Sequence, residues 1–203
     1  MKKLYSFIAA IILSLSCFCI NASAAETVKH TVVKGDSLWK IAVKYQVGLS
    51  EIISANPQFR NPDLIYPGQT VYVPLTDSTV TSYEQKVVEL VNDIRTQYGL
   101  SKLTLNWELS RVARYKSQDM HDNKYFSHTS PVYGSPFDMM KNFGISYRTA
   151  GENIAQGYKT PQAVVDGWMN SSGHRANILN ASFTQIGVGY VADGSYWTQM
   201  FIG

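Results

Sequence analysis

The apolar residues in the first part of the chain change their spacing several times. Two short runs rich in β-branched residues, Thr31–Val33 and Thr70–Val73, enclose a stretch in which apolar residues recur every three or four positions. That spacing predicts one helix beginning near Ser37 and a second beginning at Ser50. A residue before proline is pushed out of the helical region, so the second helix ends at Asn56. The pattern predicts a small unit with the order strand, helix, helix, strand.

The second part of the chain carries longer helical stripes and one pair of alternating runs. Capping side chains precede four apolar repeats, at Ser82, Asn106, Ser135 and Thr160. Each of these positions predicts the start of a helix. Tyr147–Ala155 reads as a strand that carries Glu152, and Ile186–Ile202 alternates on both sides of the turn residues Asp193 and Gly194. Helices that flank a mostly antiparallel sheet predict an α+β layered domain.

Residues 1–25 have the three features of a secretory signal peptide. Two lysines form a basic start, Leu4–Ile20 is apolar, and Ala22–Ala24 is a small-residue cleavage signal. The alternatives are a membrane anchor, or a lipoprotein in which Cys17 carries the lipid. Both cysteines of the chain lie in this segment. Its removal is therefore expected to leave a secreted chain with no disulfide and no membrane span.

Composition and charge narrow the choice of partner. The chain of 203 residues is long enough for one ordinary domain or two small ones, and a short polar linker at residues 76–81 separates residues 29–75 from residues 82–203. The formal net charge of +3 falls to +1 when the two lysines of the signal peptide are removed. The sequence has no basic patch with interleaved aromatic residues, so a nucleic-acid partner is not expected.

Two histidines and one carboxylate stand out because glycine, serine or asparagine flanks each of them. They are His128, Glu152 and His174. Residues in such surroundings are often placed for a site, since loops carry function more often than packing. The set suits a divalent metal, an acid–base pair, or a hydrogen-bonded structural cluster. The residues alone do not decide between these three.

The N-terminal unit resembles a LysM domain over its whole length. The resemblance rests on His30–Ala42, on Asn56–Gln58 and on Tyr66–Pro74, and residues 56–68 are most similar to the LysM domains of spore-coat assembly proteins. It implies a βααβ fold and binding of glycans that contain N-acetylglucosamine, mostly peptidoglycan in bacteria. A LysM domain that binds protein instead is the alternative.

The glycan groove of this family lies between the loop after the first strand and the loop before the last. These loops correspond here to residues 35–38 and 56–65. The resemblance implies seven glycan-binding residues: Gly35, Asp36, Ser37, Leu38, Asn56, Pro57 and Ile65. Backbone amides and polar side chains in these loops suit an acetamido group, and an apolar floor suits its methyl group. The ligand expected here is therefore an uncharged sugar.

Residues 83–203 resemble the CAP superfamily, which includes cysteine-rich secretory proteins, venom antigens and plant pathogenesis-related proteins. The matching stretches are Leu90–Arg95, Tyr125–His128, Gly151–Ile154, Trp168–Leu179 and Ile186–Tyr190. A LysM unit followed by this domain is similar to the bacterial, sporulation-associated branch. The resemblance implies an α-β-α sandwich.

Eukaryotic members of the superfamily line a cleft with two histidines and two glutamates, and several bind zinc through the histidines. By position, His128, Glu152 and His174 match three of these four residues. The second glutamate falls three residues after the tryptophan, where this chain has Ser171. The resemblance implies a weak zinc site at His128 and His174, in which Glu152 either is a third ligand or lies behind the ligands and orients them. It assigns no residue as catalytic with certainty.

Two functions of different classes are consistent with these resemblances. The first is a protein of the cell wall or spore envelope that binds peptidoglycan through LysM, contacts spore-coat proteins, and uses the CAP cleft for binding or structure. The second is a peptidoglycan-tethered, metal-dependent hydrolase or peptidase, with His128, Glu152 and His174 as candidate catalytic residues. A Ser–His–Glu triad with Ser127 or Ser171, and a lipid-binding cleft, are further alternatives. Serine in place of the second glutamate favours the first function.

Overall fold

The computed structural model describes residues 27–203. The signal peptide predicted for residues 1–25 lies outside the described residues and stays a prediction. Within residues 27–203, no helix is both long enough and apolar enough to span a membrane. These residues fold as a small N-terminal unit followed by a larger layered domain.

The N-terminal unit consists of a two-stranded antiparallel sheet with two helices packed on it. Its elements are β1 (Thr27–Thr31), α1 (Leu38–Tyr45), α2 (Leu49–Ala55) and β2 (Thr70–Pro74). Ile41 and Ile52 from the helices meet Val71 and Val73 from β2, and all four side chains are at most 1% exposed. The predicted order of strand, helix, helix and strand is confirmed.

The ends of two elements in this unit differ from the prediction. β1 ends at Thr31, before Val33, because a turn follows in which the Asp36 carboxylate accepts the N–H of Val33 at 2.9 Å. This turn leaves the Val33 side chain exposed. The side chain of Ser37 then caps α1. The second helix begins one residue before Ser50.

The C-terminal domain is a four-stranded sheet between two layers of helices. The helices are α3 (Ser78–Gln97), α4 (Trp107–Asp122), α5 (Pro136–Asn142), α6 (Pro161–Asn170) and α7 (Ser172–Ile178). The strands are β3 (Thr104–Leu105), β4 (Ala150–Gln156), β5 (Gln185–Val191) and β6 (Tyr196–Ile202). The predicted α+β class is confirmed, and its layers are those of an α-β-α sandwich.

The sheet has the strand order β3-β5-β6-β4, with β3 parallel to β5 and the other neighbours antiparallel. Helix α4 covers one face, and α3, α6 and α7 cover the other, where Trp168 and Trp197 belong to one buried cluster. Gly187 and Gly189 of β5 let α4 lie directly against the sheet. A Cβ at either position would come within 2.4 Å of the α4 backbone.

The first helix of this domain begins earlier than predicted. Asp77 caps it by accepting two backbone N–H groups of the first turn, at 2.7 and 3.2 Å, so that α3 begins at Ser78. The capping box predicted at Ser82 is therefore wrong as a helix start, and residues 78–81 of the predicted linker are helical. Residues 75–77 alone connect β2 to α3.

An ion pair joins the two units across this short connection. Arg111 of α4 donates from Nε and Nη2 to the two carboxylate oxygens of Glu51 on α2, at 2.6 and 2.9 Å. Nη2 also donates to the hydroxyl of Ser50 at 2.8 Å. A Cβ at Gly48 would lie 2.1 Å from Nε of Arg111, so glycine leaves room for the guanidinium group. The two units therefore contact each other through α2 and α4.

Candidate functional site

Strand β4 organises the candidate site because it lies at one edge of the sheet. Side chains alternate along a strand, so Glu152 and Ile154 face α4 while Asn153 and Ala155 face α6 and α7. Glu152 is thereby buried beneath α4 and the loop that follows it. Groups from both helical layers can approach each other around this edge.

His128 and Glu152 form a direct contact. Nδ1 of His128, in the loop between α4 and α5, lies 2.7 Å from Oε1 of Glu152. The carboxylate side chain is 1% exposed and the imidazole is 53% exposed. Burial raises the pKa of Glu152, and the hydrogen bond with His128 and the charge of Lys116 oppose that rise. The second oxygen, Oε2, is buried without a hydrogen-bond partner among residues 27–203.

A buried lysine holds the loop that carries His128. Nζ of Lys116 on α4 donates to the carbonyl oxygen of His128 at 2.9 Å and to the hydroxyl of Tyr125 at 3.0 Å. That hydroxyl donates to Asp119, which also accepts a hydrogen bond from Ser130 at 2.7 Å. Burial lowers the pKa of Lys116, and two nearby carboxylates oppose this change. Sequence reasoning missed this role, although a lysine within the apolar stripe of a helix is a signal for buried partners.

His174 lies on α7, on the opposite side of β4 from His128. Side-chain amides tie α7 to the strand: Asn153 donates to the carbonyl oxygen of His174 at 3.1 Å, and Asn177 donates to that of Glu152 at 3.2 Å. Burial lowers the pKa of His174, and the charge of His128 lowers it further. The three predicted residues therefore gather around one strand, with His128 and Glu152 in hydrogen-bond contact.

A cavity of about 430 Å³ opens beside the end of β4. Its lining residues are Phe126, Ile154, Ala155, Gln156, Tyr158, Gly167, Trp168, Ser171 and His174. His174 and Ser171 supply polar groups to walls that are otherwise mainly apolar and aromatic, and neither His128 nor Glu152 lines this space. The contact between His128 and the buried Glu152, and the aromatic cavity that His174 lines, are therefore two separate features.

Zinc binding at His128, His174 and Glu152 stays a prediction. Among residues 27–203, no group of three His, Cys, Asp or Glu side chains could hold a metal ion. Oε1 of Glu152 is instead paired with His128, an arrangement in which a carboxylate orients a histidine and leaves its other ring nitrogen available. The contact is consistent with Glu152 lying behind a histidine ligand and orienting it.

The seven residues predicted to bind glycan divide into two groups. The side chains of Leu38 and Asn56 are buried and hold the N-terminal unit together. Asn56 donates to the carbonyl oxygens of Ile52 and Tyr72 and accepts the N–H of Tyr72. The other five are exposed or half-buried: Gly35, Asp36, Ser37, Pro57 and Ile65. Leu38 and Asn56 therefore shape the loops, and the five others are accessible to a ligand.

Comparison with known proteins assigns each of the two units to a family. Residues 88–201, more than half of the chain, match the family model for the cysteine-rich secretory protein family, CAP. The chain belongs to the CAP family. Residues 30–74 match the model for the LysM domain, so the N-terminal unit is a LysM domain. Both resemblances found in the sequence are confirmed.

Three relatives illustrate the extent of the similarity. The chain is 66% identical to the uncharacterized protein YkwD of Bacillus subtilis (strain 168) over 126 residues, 62% of this chain and 49% of YkwD. A crystal structure of an extracellular protein containing a SCP domain, from Bacillus anthracis str. Ames, is 39% identical with a TM-score of 0.59, covering 67% of this chain and 47% of that chain. The spore coat assembly protein ExsA of Bacillus cereus is 53% identical over 45 residues, 22% of this chain and 7% of ExsA. The chain thus spans half the length, or less, of these relatives.

Ser127 and Ser171 are the two serines that a Ser–His–Glu triad would use. Ser171, at the position of the family's second glutamate, lines the cavity beside His174. Ser127 accepts the N–H of Thr129 at 3.2 Å. In the described part of the chain, neither hydroxyl is hydrogen-bonded to a histidine. The contact that would activate a serine nucleophile is not made there.

Proposed function

We propose that the protein binds peptidoglycan, or another glycan containing N-acetylglucosamine, through its LysM domain in the cell wall or spore envelope. The LysM match carries this proposal, and the exposure of Gly35 and Pro57 supports it because both predicted loops are accessible. The similarity to ExsA, a spore coat assembly protein, favours a spore-envelope location with coat proteins as partners. The extracellular SCP-domain relative favours a secreted protein.

The CAP domain contributes a binding or structural role in this proposal. Ser171 in place of a carboxylate, and serines without a histidine partner in the described residues, support binding over catalysis. The alternative is a wall-tethered hydrolase or peptidase. It is favoured by one observation, the buried Glu152 with a raised pKa beside His128, which is how an acid–base pair is arranged. Release of soluble fragments from peptidoglycan that is lost in Glu152→Gln would favour this alternative.

Protein adsorbed to insoluble peptidoglycan should be released by soluble oligomers of N-acetylglucosamine and not by moderate salt. The groups proposed to contact the sugar are mainly backbone and neutral groups. Salt screens interactions between charges, so moderate salt should not weaken this binding. The bound fraction after each wash measures this, and oligomers of glucose, which lack the acetamido group, are the matched control. Release by salt alone would indicate adsorption by charge and would contradict a glycan site.

Zinc binding by the CAP domain should be weak and should require both His128 and His174. Two imidazoles without a third protein ligand leave water at the remaining positions of the metal. Protonation of the imidazoles should release zinc at acid pH, because only a neutral imidazole can bind the metal. The lowered pKa of His174 keeps that ligand unprotonated to a lower pH than usual.

Calorimetric titration of residues 27–203 with zinc at neutral and acid pH measures this binding. His128→Ala and His174→Ala should each abolish the heat of binding. Glu152→Gln retains both imidazoles and is the control, expected to weaken binding by about 10–100-fold because Glu152 orients His128. Absence of binding by the wild type at neutral pH, or unchanged binding in both histidine variants, would show that zinc does not bind here.

A further inference from the structure

The contact between the LysM and CAP domains is centred on the guanidinium group of Arg111. Besides its two hydrogen bonds to Glu51, this group donates to the hydroxyl of Ser50, which in turn donates to Glu51 at 2.6 Å. The ring centroids of Tyr115 and Phe143 each lie 5.3 Å from its central carbon, Cζ. Burial alone would raise the pKa of Glu51, but the hydrogen bonds from Arg111 and Ser50 outweigh it and lower that pKa. A cation of the CAP domain is therefore held between a LysM carboxylate and two aromatic rings of its own domain.

The connection at residues 75–77 attaches the domains at a second point, and both of its ends are anchored. Leu75 packs against the buried cluster of the LysM domain, and Val80, in the first turn of α3, packs against that of the CAP domain. A cavity of about 180 Å³ borders both points, because its lining includes Leu75 of the connection and Glu51 and Arg111 of the ion pair. Domains joined only by a linker commonly move relative to each other. Two attachment points beside one cavity restrict that motion.

Gly48 makes room for this contact although its own backbone does not require glycine. Its φ of −72° and ψ of 148° are angles that any residue adopts, and as the N-cap of α2 it supplies no side-chain hydrogen bond. A Cβ at this position would lie 2.0 Å from Oε2 of Glu51 and 2.1 Å from Nε of Arg111. Both atoms belong to flexible side chains, which would have to move apart while the backbone of the LysM domain stays in place. The domain contact therefore accounts for glycine at this position.

We propose that the LysM and CAP domains form one rigid body, held together by the contact of Arg111 with Glu51 for which Gly48 leaves room. Glu51 lies in the first turn of α2, and the predicted glycan loop at residues 56–65 begins where this helix ends. The contact therefore fixes the glycan loop relative to the CAP domain through a single short helix. A CAP domain attached to the wall in this way keeps one orientation and does not move freely about its anchor. The inference goes beyond the proposed function and does not depend on which ligand either domain binds.

Nitrogen-15 NMR relaxation of residues 27–203 measures whether the two domains tumble together. One rigid body gives the amides of both domains the same rotational correlation time. Gly48→Ala and Arg111→Gln should each give the LysM domain a shorter correlation time than the CAP domain, because the smaller domain then moves about the connection. Gly173→Ala is the matched control and should keep one common value, since a Cβ at Gly173 would meet no atom of residues 27–203 within 4 Å.

A double variant separates loss of the contact from any effect of alanine on the N-cap of α2. With Arg111→Ala already present, Gly48→Ala should shorten the LysM correlation time no further, because both substitutions act on the same contact. Different correlation times for the two domains of the wild type, or a common value retained in Arg111→Gln or Gly48→Ala, would overturn the proposal. Sedimentation with insoluble peptidoglycan should be unchanged in these variants, because their glycan loops are intact. Failure of the rigid contact is thereby distinguished from failure of wall binding.

Discussion

Replacing Trp168 with alanine is expected to lower the free energy of unfolding by about 3–5 kcal/mol. The side chain is 1% exposed and belongs to the buried cluster between the sheet and helices α3, α6 and α7. The substitution leaves a cavity in that cluster and removes the indole N–H that donates to Ile154 at 3.3 Å. Denaturant unfolding of residues 27–203, followed by circular dichroism, measures the difference from the wild type.

His174→Ala is the matched control from the same stretch of chain. His174 lines the open cavity and is not a member of the buried cluster, so its removal should cost about 0.5 kcal/mol or less. Wild-type stability of Trp168→Ala would contradict the packing described for this residue. Loss of the unfolding transition in His174→Ala would show that the histidine is structural and not a site residue.

The helix starts that can be predicted are those in which the capping side chain stands next to its own apolar repeat. Asn106, Ser135 and Thr160 each accept a backbone N–H of the following turn, as their positions predict. The hairpin of β5 and β6 is predictable for the same reason, since Asp193 and Gly194 lie between two alternating runs. All of these features depend on residues within a few positions of one another.

The start of α3 cannot be predicted from the local spacing of apolar residues. Asp77 and Ser82 are both able to cap a helix, and Val80 is the one apolar residue between them. Val80 packs against the buried cluster of the CAP domain, which favours the longer helix that Asp77 caps. The residues that Val80 contacts come from distant parts of the chain, so spacing does not reveal them.

The candidate site is predictable in its composition and not in its arrangement. Flanking residues indicate His128, Glu152 and His174 as a set, but the position of β4 at the sheet edge depends on tertiary strand pairing. That position places His174 on one side of the strand and the His128–Glu152 pair on the other. Lys116 is similar, because one of its two partners is a main-chain carbonyl oxygen 12 residues away, which has no side-chain signature.

Removing residues 27–75 should abolish sedimentation of the protein with insoluble peptidoglycan. This segment contains the whole LysM domain, whereas the CAP domain keeps its own sheet and buried clusters. The deletion also removes the partner of Arg111, so a control is needed for loss of that contact. Arg111→Gln breaks the ion pair with Glu51 and leaves both domains in place, and it should sediment as the wild type does.

The most direct test of wall attachment through LysM is sedimentation with purified peptidoglycan. The fraction of protein in the pellet is compared for residues 27–203, for Arg111→Gln and for the protein without the LysM domain. Residues 27–203 and Arg111→Gln are expected in the pellet. The protein without the LysM domain is expected in the supernatant, with circular dichroism showing that its CAP domain is folded. Equal sedimentation of the protein without the LysM domain would contradict wall attachment through LysM.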